Sequence, residues 1–104
     1  MSETESPAES KNPEEEEPEI LPSWTPSPEK LLCTLLFASH EFQNARLLRE
    51  VLGDQWDLPR LRQLVKGLNR SLESAEMPFE VVEVENCFRI RTLPKYFPWV
   101  RKLF

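Results

Sequence analysis

The stretch FEVVEVENCFRIRT, residues 79–92, decides the fold, because the rhythm of the chain changes there. Upstream, apolar residues recur at intervals of three and four, as on one face of a helix. Here they alternate with polar residues in twos, the mark of a half-buried strand. A polar break at Glu85-Asn86-Cys87 splits the run into two arms of a hairpin. With a three-residue loop, Val84 faces Phe88 and Val82 faces Ile90 on one apolar side, while Glu83 faces Arg89 as an opposite-charge pair on the other. A two-residue loop sets Val82 against Arg89 and mixes the faces. A slip of one residue turns every side chain over, so the pattern predicts three loop residues, with Asn86 or Cys87 left-handed.

Three helices precede this ribbon. Asp57 is placed to cap a helix over Leu58–Ser74, whose Leu61, Leu64, Val65, Leu68 and Leu72 form one buried stripe. Gly67 in its middle costs up to about 1 kcal/mol relative to Ala and is expected to admit a neighbouring backbone. Asn44 reads as the cap of a short helix over Ala45–Leu52, with Leu47, Leu48, Val51 and Leu52 as its apolar set and Gly53 ending it. Glu29–Ser39 is apolar on most sides and predicts a central helix with Pro28 in its first turn. After the ribbon, Pro94 opens a last helix, in which Pro98 is tolerable only within the first turn. Three helices, a hairpin and a closing helix make an α+β winged helix-turn-helix, with Leu58–Ser74 in the recognition position and residues 79–92 as the wing.

The 104 residues carry a formal net charge of −5, but they divide into two unlike pieces. Residues 1–28 hold eight Glu, one Lys and six of the ten prolines; residues 29–104 are close to neutral, at +2. The first piece reads as a disordered acidic arm. Its few large apolar residues cannot offset an ordering cost of about 1–2 kcal/mol per residue, and Glu14–Glu17 repel one another. Ile20, Leu21 and Trp24 are the candidates to pack back on the domain, and Ser6-Pro7, Thr25-Pro26 and Ser27-Pro28 have the form of phosphorylation sites. The second piece, 29–104, is one domain, too small for a two-domain enzyme or a dinucleotide-binding domain. No run approaches the roughly 20 apolar residues of a membrane helix, and the acidic start is unlike a secretory leader. Cys33 and Cys87 lie far apart, form no paired metal motif, and are read as free thiols in a reducing compartment, Cys33 as a core residue and Cys87 as exposed.

Four blocks now stand in order: LLFASHEF (35–42), ARLLREVLG (45–53), the wing (79–92) and LPKYFPWVRKLF (93–104). Together they resemble the first winged-helix domain of the segregation and condensation protein B family, ScpB, over about residues 29–104. The resemblance implies a non-enzymatic accessory subunit of a bacterial SMC–kleisin condensin complex. It would be cytoplasmic, at the nucleoid, self-dimerising and bound to a ScpA-like kleisin. Through the kleisin it would reach the SMC ATPase, with DNA contacted indirectly. The family carries a second winged-helix domain after the first, so contacts made by that second domain are left open. His40 and Phe42 stand where the family usually has Gly and Pro, and Asn86 and Cys87 replace the usual wing-tip glycines.

Two groups of residues are candidate sites. Tyr96, Phe97, Trp99 and Phe104 crowd the last helix; a domain this small cannot bury them all, and aromatics left outside are favoured interface anchors. The alternative is that they close the domain's own core. Arg62, Lys66 and Arg70 fall on one row opposite the buried stripe, and with the wing residues Arg89 and Arg91 they could touch DNA phosphates. Against this, the domain is only weakly basic and Glu73, Glu76, Glu83 and Glu85 dilute the patch, so a solvated face competes with a DNA contact. The single histidine, His40, reads as a turn residue. No nucleophile–base set, phosphate loop, metal cluster or cofactor motif is present in the sequence, which argues against an enzyme. The rivals to the ScpB-like reading are a small winged-helix DNA-binding transcriptional regulator and a shortened paralogue that has lost complex assembly.

Overall fold

A computed structural model describes residues 24–104. Its elements run α1 (Pro28–Ser39), β1 (Gln43–Asn44), α2 (Ala45–Leu52), α3 (Leu58–Ser74), β2 (Phe79–Val84), β3 (Cys87–Thr92), a 3-10 turn at Pro94–Tyr96 and α4 (Phe97–Leu103). Each of the first three helices starts on a side-chain cap. Ser27 Oγ accepts from the Lys30 N–H (3.1 Å), Asn44 Oδ1 from Leu47 (2.9 Å) and Asp57 Oδ1 from Arg60 (3.1 Å). These oxygens satisfy donors that have no partner inside the helix. His40, in the left-handed conformation (φ 62°), ends α1. Helix α3 closes with Glu76 left-handed (φ 57°), its N–H donating to the Glu73 carbonyl and the Met77 N–H to that of Leu72. This is the paired closure usually built on glycine.

The core sits where α1, α2 and α3 meet the sheet. Leu32 and Leu36 of α1, Leu48 of α2, Leu61 and Leu68 of α3, Val81 of β2 and Phe88 of β3 are all but excluded from water. Burial of each such side chain contributes about 1.5–3 kcal/mol. The sheet is antiparallel with strand order β1-β3-β2. Three helices with this wing make the winged helix-turn-helix fold. The strand β1 is only two residues long, pairing Gln43 with Phe88 and Asn44 with Cys87, and no periodicity betrays an element so short.

The wing's register differs from the expected one. Val84 pairs with Cys87, Val82 with Arg89 and Val81 with Ile90, so the loop is Glu85-Asn86 alone. Both loop residues are left-handed (φ 51° and 66°), the two-residue turn whose twist matches its strands. Val81, Ile90 and Phe88 therefore face the body, while Val82 and Val84 turn outward and Val84 is exposed. Arg89 does not pair with Glu83. The helix body explains the choice. Arg62 of α3 neutralises Glu83 on the inner side of the wing tip, and the side-chain amide of Asn69 binds Val81 twice, Oδ1 accepting from its N–H (2.8 Å) and Nδ2 donating to its carbonyl (3.1 Å). The Ala45 N–H also donates to the Asn86 carbonyl (3.0 Å), fixing the turn from the other side.

Smaller differences follow from packing. A Cβ on Gly67 would meet the Glu29 carboxylate at 2.9 Å, so the close neighbour is a side chain and not a backbone. In α2 only Leu48 is buried, and Leu47 and Val51 face water. Cys87 is half-buried beside β1, and Trp24 is exposed rather than folded back. Ile20, Leu21, Ser6 and most of the acidic arm lie outside the described residues. Among the described residues no helix is long and apolar enough to cross a membrane.

Candidate protein interface

The chain leaves the wing at Leu93, whose N–H donates to the Pro78 carbonyl (2.9 Å) and ties the two arms together at their base. Pro94 then fixes the backbone for a 3-10 turn, and Tyr96 N–H donates back to Leu93 (2.9 Å). Pro98 falls in the first turn of α4, where its missing N–H costs nothing. None of the side chains of this segment belongs to the buried cluster or to the half-buried shell around it. Phe97 and Val100 are half-buried, whereas Tyr96, Trp99, Leu103 and Phe104 are 38%, 67%, 79% and 96% exposed. At 100° per residue, Trp99 and Leu103 lie about 40° apart, with Lys102 on their flank. Of the four aromatics expected here, Tyr96, Trp99 and Phe104 are exposed and Phe97 is half-buried, and Leu103 joins the exposed set. Leu103 carries no interface signal of its own in the sequence, since leucine is common in cores and aromatics are the residues enriched as anchors.

The five cations are placed very differently. Arg62 makes a two-pronged contact with Glu83, Nη2 at 2.8 Å from Oε2 and Nε at 3.1 Å from both oxygens, and its Nη2 also reaches Asn86 Oδ1 (3.1 Å). The hydrogen bond to Glu83 holds the guanidinium's pKa above its ordinary value, outweighing slight desolvation. Arg91 is held by Glu80 across the strands, Nε and Nη2 each at 2.8 Å from Oε2. Arg89 lies over the Phe42 ring, 5.3 Å from its centre, with a buried Nε that has no hydrogen-bond partner. Lys66 and Arg70, both exposed on α3, make neither an ion pair nor a ring contact among the described residues. The five do not converge on one open surface: three are occupied within the fold, and two remain for an outside anion.

Cys33 packs against the core, and its thiol pKa is pushed up, first by burial and then by the charge of Glu29. Such a thiol is a poor nucleophile, since reaction needs the thiolate.

No protein-family model and no curated protein matches the sequence. Among solved structures, the domain is similar to a conserved hypothetical protein from Chlorobium tepidum. The TM-score is 0.70 and the identity 26%, over 74% of this chain and 48% of that one. The chain thus spans about half the length of the Chlorobium tepidum protein. It is also similar to the ScpB N-terminal domain, solved as a dimer complexed with a ScpA peptide. There the TM-score is 0.59 and the identity 21%, over 73% of this chain and 93% of that one. The fold is that of the ScpB N-terminal domain.

Proposed function

We propose that this chain is a ScpB-like accessory subunit of an SMC–kleisin condensin complex, acting in chromosome condensation and segregation through protein–protein contacts. On this reading it is not an enzyme. It pairs with a second copy, holds a ScpA-like kleisin segment, and reaches the SMC ATPase and DNA only through that partner. The observation that carries the reading is α4: a helix that presents Trp99 and Leu103 to solvent while adding nothing to the core. Exposed apolar surface of this kind is a partner site in search of cover. The fold likeness supports it, since the ScpB domain of this fold was solved as a dimer with a ScpA peptide. The occupied state of Arg62, Arg91 and Arg89 weighs against a DNA reader, whose affinity comes from cations free to meet phosphates.

Light scattering and a pull-down with a kleisin segment test this. The expected result is a dimer that salt does not dissociate and that retains the kleisin. Trp99→Ala with Phe104→Ala should raise the dimer Kd more than tenfold, as removal of buried aromatic anchors does. A dimer indifferent to both substitutions would remove α4 from the interface. A monomer whose DNA binding falls steeply with salt would replace the reading with the transcriptional regulator, working through Lys66 and Arg70.

A further inference from the structure

At the base of the wing, between the end of α3 and the 3-10 turn, lies a groove of about 540 Å³. Its apolar lining is Met77, Phe79, Leu93 and Tyr96, of which Met77 and Tyr96 are themselves exposed, with the Asn69 amide beside them. Its charged lining is mostly acidic, with Glu73, Glu76 and Glu80 against a single cation, Lys95. Glu80 is occupied by Arg91, and Lys95 lies 5.5 Å above the Tyr96 ring. Glu73 and Glu76 are exposed at the end of α3 and make no side-chain ion pair among the described residues. Among the described residues no element covers this groove, and α4 starts directly beside it.

We infer that the groove receives α4 of a second copy of this chain, Trp99 and Leu103 packing on Met77, Phe79, Leu93 and Tyr96 and Lys102 meeting Glu73 and Glu76. The inference rests on the reading that α4 mediates self-association, and it names the surface on which α4 lands. Three features select this occupant. The groove is acidic and apolar, and α4 is basic and apolar, with Lys102 on the flank of the Trp99–Leu103 stripe. The groove and α4 adjoin at Tyr96, so a two-fold axis near the 3-10 turn lets each copy place its helix in the other's groove. Such an arrangement is closed and self-complementary, and it covers both exposed surfaces at once. A helix laid by its apolar stripe into a groove is also a recurrent mode of recognition.

A charge exchange on the full chain tests it, read by sedimentation and native mass spectrometry after circular dichroism confirms folding. Lys102→Glu alone, and Glu73→Lys with Glu76→Lys alone, should each raise the dimer Kd at least fivefold, because every substitution acts twice in a two-fold dimer. The chain carrying all three changes should recover the wild-type Kd. A mixture of the two single-site variants should form mixed dimers in preference to like ones. If reversal of Glu73 and Glu76 leaves the dimer unchanged while Trp99→Ala dissociates it, α4 lands elsewhere and the groove is wrong, although the self-association reading stands. A wild-type chain that stays monomeric at 100 µM would overturn both.

Discussion

Glu76 is a residue in a glycine's place. Its φ of 57° ends α3, and the left-handed backbone costs a side chain about 1–2 kcal/mol. Glu76→Gly should therefore stabilise the domain by about 1 kcal/mol in urea unfolding, the larger unfolded-state entropy of glycine taking back part of the relief. An unchanged or lower midpoint would mean that the glutamate's own contacts outweigh its strain. Cys33 gives a second measurement. Its thiol is held above the ordinary thiol range in the folded state, so the folded chain gives up that proton less readily than the unfolded one. Below the ordinary thiol pKa this has no effect on stability. As pH rises from there towards the raised value, the unfolded chain ionises first and stability falls. Iodoacetamide should accordingly label Cys33 more slowly in the native protein than in urea at the same pH.

At the scale of elements, the helices were readable and the wing's phase was not. The spans of α2 and α3 follow from Asn44, Asp57 and Gly53, because caps and stops are local chemistry between near neighbours. The hairpin's existence also follows from its alternation. Its register depends on partners outside the strands: Asn69 clamping Val81, and Arg62 drawing Glu83 inward. Neither is visible in residues 79–92, where the sorting of Val82 and Val84 with Phe88 and Ile90 looks better than the true arrangement. The same blindness hid β1. For the candidate sites, the sequence located the aromatic cluster of α4 but not the acidic groove, whose walls come from α3, β2 and the turn after β3. The observed register predicts that Val84→Thr changes stability by less than about 0.5 kcal/mol. Val81→Ala should cost about 1–3 kcal/mol, since that side chain is only 4% exposed. The reverse order in thermal unfolding, Val84→Thr costly and Val81→Ala nearly neutral, would favour the three-residue loop.

On the scale of the whole molecule, the open cations of α3 and the exposed apolar side chains of α4 belong to different helices. Helix α3 offers Lys66 and Arg70, and α4 offers Trp99 and Leu103. If partners are proteins, as proposed, then Lys66→Glu with Arg70→Glu should leave the dimer and kleisin retention within twofold of wild type, measured by sedimentation and pull-down. A large loss would move the partner surface to α3. The same pair of substitutions should abolish any residual, salt-sensitive adhesion to duplex DNA, because such adhesion scales with the number of phosphates neutralised.

The carboxamide of Asn69 has a bearing on solubility as well as on register. The strand β2 is the outermost of its sheet, and an unprotected border of this kind invites strands of other molecules to zip onto it. By engaging both the donor and the acceptor of Val81, one short amide from α3 stands in for a missing neighbour strand and blunts that border midway along its length. A chain deprived of it would face two hazards together: a looser ribbon, and a bare template for fibre growth in concentrated solution.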